Sequence, residues 1–565
     1  MPRTFNTTAV CVPEIHYMVN IDQRLQEISR LVDGGKYFAI NRARQYGKTT
    51  TLMALSRYLQ KRYHIVSMDF QTFGSADFST EAIFSSAFAG SFLDSFQIGR
   101  PAMTEELHSA IKDITQNIDS PKFTLRPLFQ KLAMICAASD KPLVLIIDEA
   151  DSAANNQVFL DFLAQLRAQY IRRFQQPAFW SVILAGVYDI RNLKQKLRPE
   201  EEHKYNSPWN IAADFNVDMS FSKDDIAGMI QEYENDYQLG MNIDEIAGLL
   251  SDYTSGYPFL VSRLCQLMDE DVSIRQVSIP AAANNSQVKS ITSEYPCNRE
   301  HNTENTCVHE YNARKAAWTK TGFLEAVRIL LSEKNTLFES LIGKLHAAPR
   351  LGTMLKTILF TGKTFSYSAD ESIIDMAAMF GFIKNLNGIV AISNRIFEIR
   401  LYNYYLSEDE IRGTDIGKAS LREKNQFIVD GHLNMRRILE KFVVHFTEIY
   451  GSRDEKFLEE EGRQYFLLYL KPVINGIGNY YIEARTRDLR RTDVIVDYCG
   501  EQYIIEMIIW HGEEYNKRGE QQLLGYLDDY HADRGYLLSF NFNRNKKIGV
   551  QDIFIDGKVI TEAVV

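Results

Sequence analysis

Apolar positions follow two rhythms over the first 220 residues. KYFAINRA (36 to 43), HIVSMDFQ (64 to 71), PLVLIIDEA (142 to 150) and FWSVILAGV (179 to 187) read as strands, the last two as runs short and apolar enough to be buried. TTTLMALSRYLQKRY (49 to 63) and FLAQLRAQYIRRF (162 to 174) place apolar residues with helical spacing. Strands alternating with helices predict an α/β fold on a parallel sheet, which binds ligands at the carboxyl ends of its strands. From 221 to 272 the rhythm is helical throughout, as in DDIAGMIQEYENDY and DEIAGLLSDYTSGYPFLVSRLCQLM. Residues 273 to 318 are the most polar and least periodic stretch and read as an insertion or linker. Short helices then lead into GFIKNLNGIVAISNRIFEIRLYNYY (381 to 405), where apolar strands flank the turn Asn385 to Gly388 as in a β-hairpin. Helices ending in a hairpin over 319 to 406 suggest a winged-helix-like domain. A charged linker covers 407 to 430, and a last domain, 431 to 565, opens with a helix near HLNMRRILEKFVVHFTEIY.

Length agrees with this division, since 565 residues exceed one hydrophobic core and suggest roughly three to four domains. The composition, 45% hydrophobic and 24% charged, is that of a water-soluble globular chain. No apolar run reaches the roughly 18 residues of a membrane span, and the N-terminus lacks the order of a signal peptide. No membrane partner and a cytoplasmic location are therefore expected. The six cysteines form no CxxC pair, which speaks against a disulfide framework. Cys297, His301, Cys307 and His309 lie close in a polar loop, but their spacing fits no common zinc site. A net charge of −10 does not advertise a nucleic-acid binder, although a local basic groove can hide within it.

Candidate chemistry begins at NRARQYGKTTTL (41 to 52), which follows a strand and opens a helix, the context a phosphate-binding loop requires. Gly47 lets main-chain amides approach phosphate, Lys48 can reach the β- and γ-phosphates, and the Thr49 hydroxyl can ligate magnesium. The standard GxxxxGK[ST] pattern would have glycine where this chain has Arg42. A second GKT, at Gly362, Lys363 and Thr364, follows no strand and reads as a decoy. About a hundred residues after the first copy, PLVLIIDEADS ends a strand with Asp148 and Glu149, as in a Walker B element. There the aspartate holds magnesium through water and the glutamate polarises the attacking water. Tyr188 and Asp189 end the next strand, and Arg172 and Arg173 read as arginine fingers or as a solvated helix face.

NRARQYGKTTTL and LVLIIDEAD, with SPWNIAADFNVDMSFSKDDI (207 to 226) and TSGYPFLVSRL (254 to 264), resemble the AAA-ATPase-like family that carries a C-terminal PD-(D/E)XK nuclease domain. The family lies in the clade of signal-transducing and origin-recognition-like ATPases, and the resemblance covers most of the chain except the polar insertion. It implies a P-loop ATPase core over 1 to 220, a helical lid over 221 to 272, and a winged helix that binds DNA or relays conformational change. ATP and Mg²⁺ are the implied cofactors, with Arg42, Gly47, Lys48, Thr49, Thr50, Asp148 and the lid residue Arg263 near the nucleotide. Arginine is common in the family at the position of Arg42. The clade also implies ATP-linked self-association.

Over 457 to 510 the pattern reads as a helix, a hairpin and two adjacent strands. RRTDVIVDY brings Asp493 to the start of one strand and YIIEMI brings Glu506 near the end of the next. Neighbouring carboxylates of this kind suit magnesium, which takes hard oxygen ligands and polarises a scissile phosphate. This resembles the PD-(D/E)XK pattern, with Asp493 and Glu506 as its acids and one of Glu459, Glu460 or Glu461 as its helix carboxylate. Gln522 and Tyr526, at i and i+4 on one helix, match the QxxxY element of the RecB-like branch. The family lysine should follow Glu506 by two residues, where this chain has Ile508, which neither donates a hydrogen bond nor carries charge. Three readings stand: the lysine has migrated to Lys517 or Arg518, the site binds nucleic acid without cutting, or position 508 is an altered residue. Trp510, His511 and Glu513 lie close, with His511 a remote candidate for general base.

Overall fold

A computed structural model describes residues 3–99, 101–187, 209–273, 304–361, 364–407, 426–429, 432–450, 459–474, 478–481, 494–498, 501–510, 512–530, 532–543 and 546–565. Its contacts divide the chain into two compact units, Met1–Ser220 with Ala378–Gly381, and Phe221–Ala377 with Phe382–Val565.

In the first unit four strands, β1 (Tyr37–Asn41), β2 (His64–Asp69), β3 (Leu143–Asp148) and β4 (Ser181–Gly186), form a sheet in the order β1-β4-β3-β2. All its pairings are parallel. Among the described residues the accompanying helices are α1 (Asp22–Asp33), α2 (Lys48–Leu59), α3 (Glu81–Ile98), α4 (Glu105–Asn117), α5 (Leu125–Ala138) and α6 (Gln157–Arg172). Alternate strand residues feed two cores. Phe38, Ile40, Val144, Ile146 and Ile183 meet α1 and α2, while Tyr37, Leu143, Leu145, Ile147 and Leu184 meet α3, α5 and α6. Burial on both faces is why these strands read as unbroken apolar runs, and each fully buried Leu or Ile contributes about 1.5–3 kcal/mol. On α3, Phe84, Phe88, Phe92 and Phe96 recur every fourth residue and pack ring against ring along one buried stripe.

The second unit opens with helices Lys223–Tyr237, Ile243–Thr254 and Pro258–Leu267. Residues Glu304–Ala317, read from sequence as polar insertion, form a helix that ends on buried Ala313, Ala317 and Trp318. Polar residues on its outer side hid the helical period. Helices Lys320–Ser332, Thr336–Ala347 and Pro349–Thr361 follow, so the second GKT comes after a helix. Strands β5 (Ile383–Leu386) and β6 (Ile389–Ile392) pair antiparallel, turning at Asn387 and Gly388, whose φ values of 51° and 83° are those of a tight hairpin turn. The stretch after the hairpin is a helix, Arg395–Leu406, started by Asn394, whose side chain accepts the Phe397 N–H. After the two-residue strands β7 (Ile428–Val429) and β8 (His432–Leu433) come helices Met435–Tyr450 and Glu459–Ile474. A six-stranded mixed sheet ends the chain, built from β9 (Gly478–Tyr481), β10 (Val494–Tyr498), β11 (Glu501–Ile509), β12 (Arg534–Phe540), β13 (Gly549–Ile555) and β14 (Lys558–Val564). Its order is β13-β14-β12-β11-β10-β9, with β11, β12 and β14 parallel. Among the described residues no helix is long and apolar enough to cross a membrane.

Candidate functional site

β1 ends at Asn41 and the chain turns through Arg42 to Gly47 into α2. Gln45 and Gly47 take left-handed backbone conformations, φ 56° and 76°, which fold the loop over the start of the helix. Nothing lies within 4 Å of the point where a Cβ on Gly47 would sit, so the loop is open to a ligand there. Lys48 is 6% exposed and its Nζ donates to the carbonyls of Arg42 (3.1 Å) and Ala43 (3.2 Å), leaving one of its three N–H donors. Burial pulls the Lys48 pKa down, while Glu149, Asp151 and Asp148 pull it back up.

β3 runs through the middle of the sheet and delivers Asp148, 7% exposed, to this loop. Thr49 Oγ1 donates to Asp148 Oδ2 at 2.7 Å, and Glu149 N–H donates to Asp148 Oδ1 at 2.9 Å. Glu149 has φ 49°, an uncommon conformation for a side-chain-bearing residue and one that accompanies functional turns. Its carboxyl is pushed above the usual range by burial, then by repulsion from Asp151 and Asp148.

The sequence did not single out Asp151. Its Oδ1 is buried, takes no hydrogen bond from the described residues, and would lie 2.7 Å from a Cβ at Gly186. Glycine at the end of β4 is what admits this third carboxylate. The run DEAD (148 to 151) carried the signal.

Other expected residues are placed differently. The Arg42 guanidinium donates to Val217 O (2.8 Å) and Asn41 O (2.9 Å), so it is the Arg42 carbonyl that faces Lys48. Thr50 Oγ1 accepts the Cys11 N–H at 3.2 Å. Arg173 is engaged by the Gly35 carbonyl and the Tyr170 ring, while Arg172 is exposed. Tyr188 and Asp189 lie outside the described residues. In the second unit Arg263 pairs with Glu333 and donates to Gln266 (2.8 Å).

At the C-terminal sheet, β10 and β11 form an antiparallel pair with Val494 opposite Ile505. Asp493 and His511 lie outside the described residues. Glu460 falls within helix Glu459–Ile474, its side chain likewise undescribed. Glu506 is 3% exposed and lies level with Leu537 and, one strand further, Glu562. Glu562 accepts from Asn516 (2.9 Å) and Gln551 (2.8 Å), a buried carboxylate held by two amides. Ile508 shares the face of Glu506 and is buried under helix Glu513–Asp529; a Cβ at Gly519 would lie 3.2 Å from its Cγ2. Gln522 Nε2 donates to Tyr526 Oη at 3.1 Å, so the two expected partners meet each other. Lys517 and Arg518 are exposed. Cys297 and His301 are outside the described residues, and Cys307 and His309 fall within helix Glu304–Ala317 rather than a loop. Among the described residues no group of three or more His, Cys, Asp or Glu could hold a metal ion.

A parallel sheet whose first strand runs through a glycine-turned loop into a helix, beside a central strand ending in Asp-Glu, is the arrangement of a P-loop ATPase domain. Residues 14–293 match the family of the AAA-like domain. The chain is similar to the Walker-type ATPase PABY2304 of Pyrococcus abyssi, at 13% identity over 70% of this chain and 99% of that one, TM-score 0.44. It is also similar to the ORC1 protein of Aeropyrum pernix in complex with DNA (13% identity, 70% and 94% covered, TM-score 0.28). A third likeness is to the Aeropyrum pernix ORC2 protein in ADPNP-ADP complexes (9% identity, 71% and 98% covered, TM-score 0.34). No curated protein matches the chain.

Proposed function

We propose that the first unit binds ATP with magnesium and hydrolyses it, and that this turnover governs the C-terminal unit. The observation that carries the reading is the Thr49 Oγ1 to Asp148 Oδ2 contact of 2.7 Å, which joins the loop hydroxyl to the strand carboxylate beside Lys48. Thr49 and Asp148 are the pair that would hold magnesium, which when bound supplies positive charge to the phosphates being parted. Two protein oxygens suffice, because this ion keeps water and phosphate as its other ligands. The amides after Gly47, at the positive end of α2, hold the phosphates, and the remaining Lys48 donor takes a phosphate oxygen. Glu149 accepts a proton from the attacking water, a role helped by a carboxyl whose pKa is raised. Turnover of the full chain tests this. Lys48→Ala should lower nucleotide binding, and Glu149→Gln should keep binding but lose turnover by ~10²-fold or more. Equal turnover by the native chain and Lys48→Ala refutes it.

For the C-terminal unit we propose a nuclease-derived PD-(D/E)XK module that holds DNA, or a protein partner, without cutting. The resemblance pairs Asp493 with Glu506, which is buried on β11 beside β10. Ile508, buried under Gly519 where the family lysine would stand, favours binding over cleavage. Incubating DNA with the native chain and Ile508→Lys in Mg²⁺ or Mn²⁺ should give binding and no cleavage by the native chain. Cleavage by both points to a lysine supplied from elsewhere, and cleavage by the variant alone to a disabled nuclease.

A further inference from the structure

Arg42 reaches in two directions. Its carbonyl accepts from Lys48 Nζ, while its guanidinium grips Val217 O and lies 5.2 Å over the Phe215 ring. Phe215 in turn stacks on Phe38 of β1, centroids 5.9 Å apart and planes 5° apart, and Ala213 N–H donates to Tyr37 O at 2.8 Å. Residues 213, 215 and 217 therefore follow the edge of β1 with a period of two, and Arg42 ties that run where β1 becomes the phosphate loop. Just beyond, Arg24 donates to Asp218 O and Ser220 O, both at 3.1 Å. Ser220 is the last residue before the chain enters the second unit. Glycine, the standard residue at position 42, could make neither the bond to Val217 O nor the contact with the Phe215 ring.

We infer that Arg42 is a positioning residue that couples the phosphate loop to the Phe215–Ser220 segment, so that a nucleotide held at Lys48 changes the order of the chain leading into the second unit. This rests on the ATP-binding reading above. A guanidinium suits the task because its planar fork holds carbonyl oxygens in fixed directions, and its hydrogen bonds are strong where water is excluded. Burial does pull the Arg42 pKa down, against Tyr46 and Asp218.

The test is hydrogen exchange of the full chain with and without a non-hydrolysable ATP analogue and magnesium, after titration of a fluorescent ATP analogue. In the native chain the analogue should slow exchange of the 213–220 amides by ~10-fold or more. In Arg42→Ala that response should vanish while affinity stays within ~3-fold. Arg42→Lys, which keeps the charge and the stem but lacks the fork, should lose most of the response and guards against a misfolded alanine variant. The inference is overturned if the native chain shows no response, if both variants keep it, or if Arg42→Ala costs ~10-fold or more in affinity, which would put the guanidinium on the nucleotide. A native chain that binds no analogue in the titration refutes the ATP reading itself, and the inference with it.

Discussion

Gly47→Ala separates the two demands made on the phosphate loop. Gly47 has φ 76° and ψ 18°, a left-handed conformation that costs a side-chain-bearing residue about 1–2 kcal/mol. Nothing lies within 4 Å of the added methyl, so no packing cost adds to this strain. For a unit of this size the first melting transition should fall by roughly 2–8 °C. Strain present equally in free and bound protein cancels in the binding equilibrium, so it cannot by itself weaken nucleotide affinity. The methyl does occupy the open space over the loop, where phosphate is proposed to approach. Affinity should therefore fall by ~10-fold or more, or about 1.4 kcal/mol. Circular dichroism melting and a fluorescent-nucleotide titration measure the two effects on one sample. A melting shift of the expected size with unchanged affinity refutes the placement of phosphate against Gly47.

Two further outcomes follow from the geometry. Gly186→Ala places a methyl 2.7 Å from Asp151 Oδ1 and should cost about 1–3 kcal/mol in stability and lower ATP turnover. Adding Asp151→Ala should recover most of the stability, and a double variant as unstable as the single one rejects the clash. The Glu520 carboxyl is held above its ordinary 4.5 by burial and by Glu562. A raised carboxyl favours the protonated fold, so its contribution is present below 4.5 and lost as pH rises through the folded value. Glu520→Gln, permanently neutral, should therefore melt higher than the native chain at pH about 8, with the gain fading as pH falls toward the carboxyl's ordinary value. A pH-independent difference in melting temperature excludes this assignment.

Much of the first unit is legible in the sequence because its signals are local. A strand buried on both faces must be apolar at every position, so β1, β3 and β4 announce themselves, and the loop and the Asp-Glu pair sit at their ends. The helix Glu304–Ala317 escaped because its first residues are polar in sequence, and β12, β13 and β14 because a mixed sheet alternates its demands from strand to strand. The parallel α/β class of the first unit and the strand–loop–helix context of Lys48 and Thr49 were thus legible in residue order alone. Tertiary structure decided which atoms meet. Arg42 turns its side chain to Val217, 175 residues away, Asp151 finds room only because Gly186 ends a neighbouring strand, and Ile508 is covered by a helix that closes at Gly519. Contacts between residues far apart in the chain depend on how strands and helices stack, and no local period or motif carries that information.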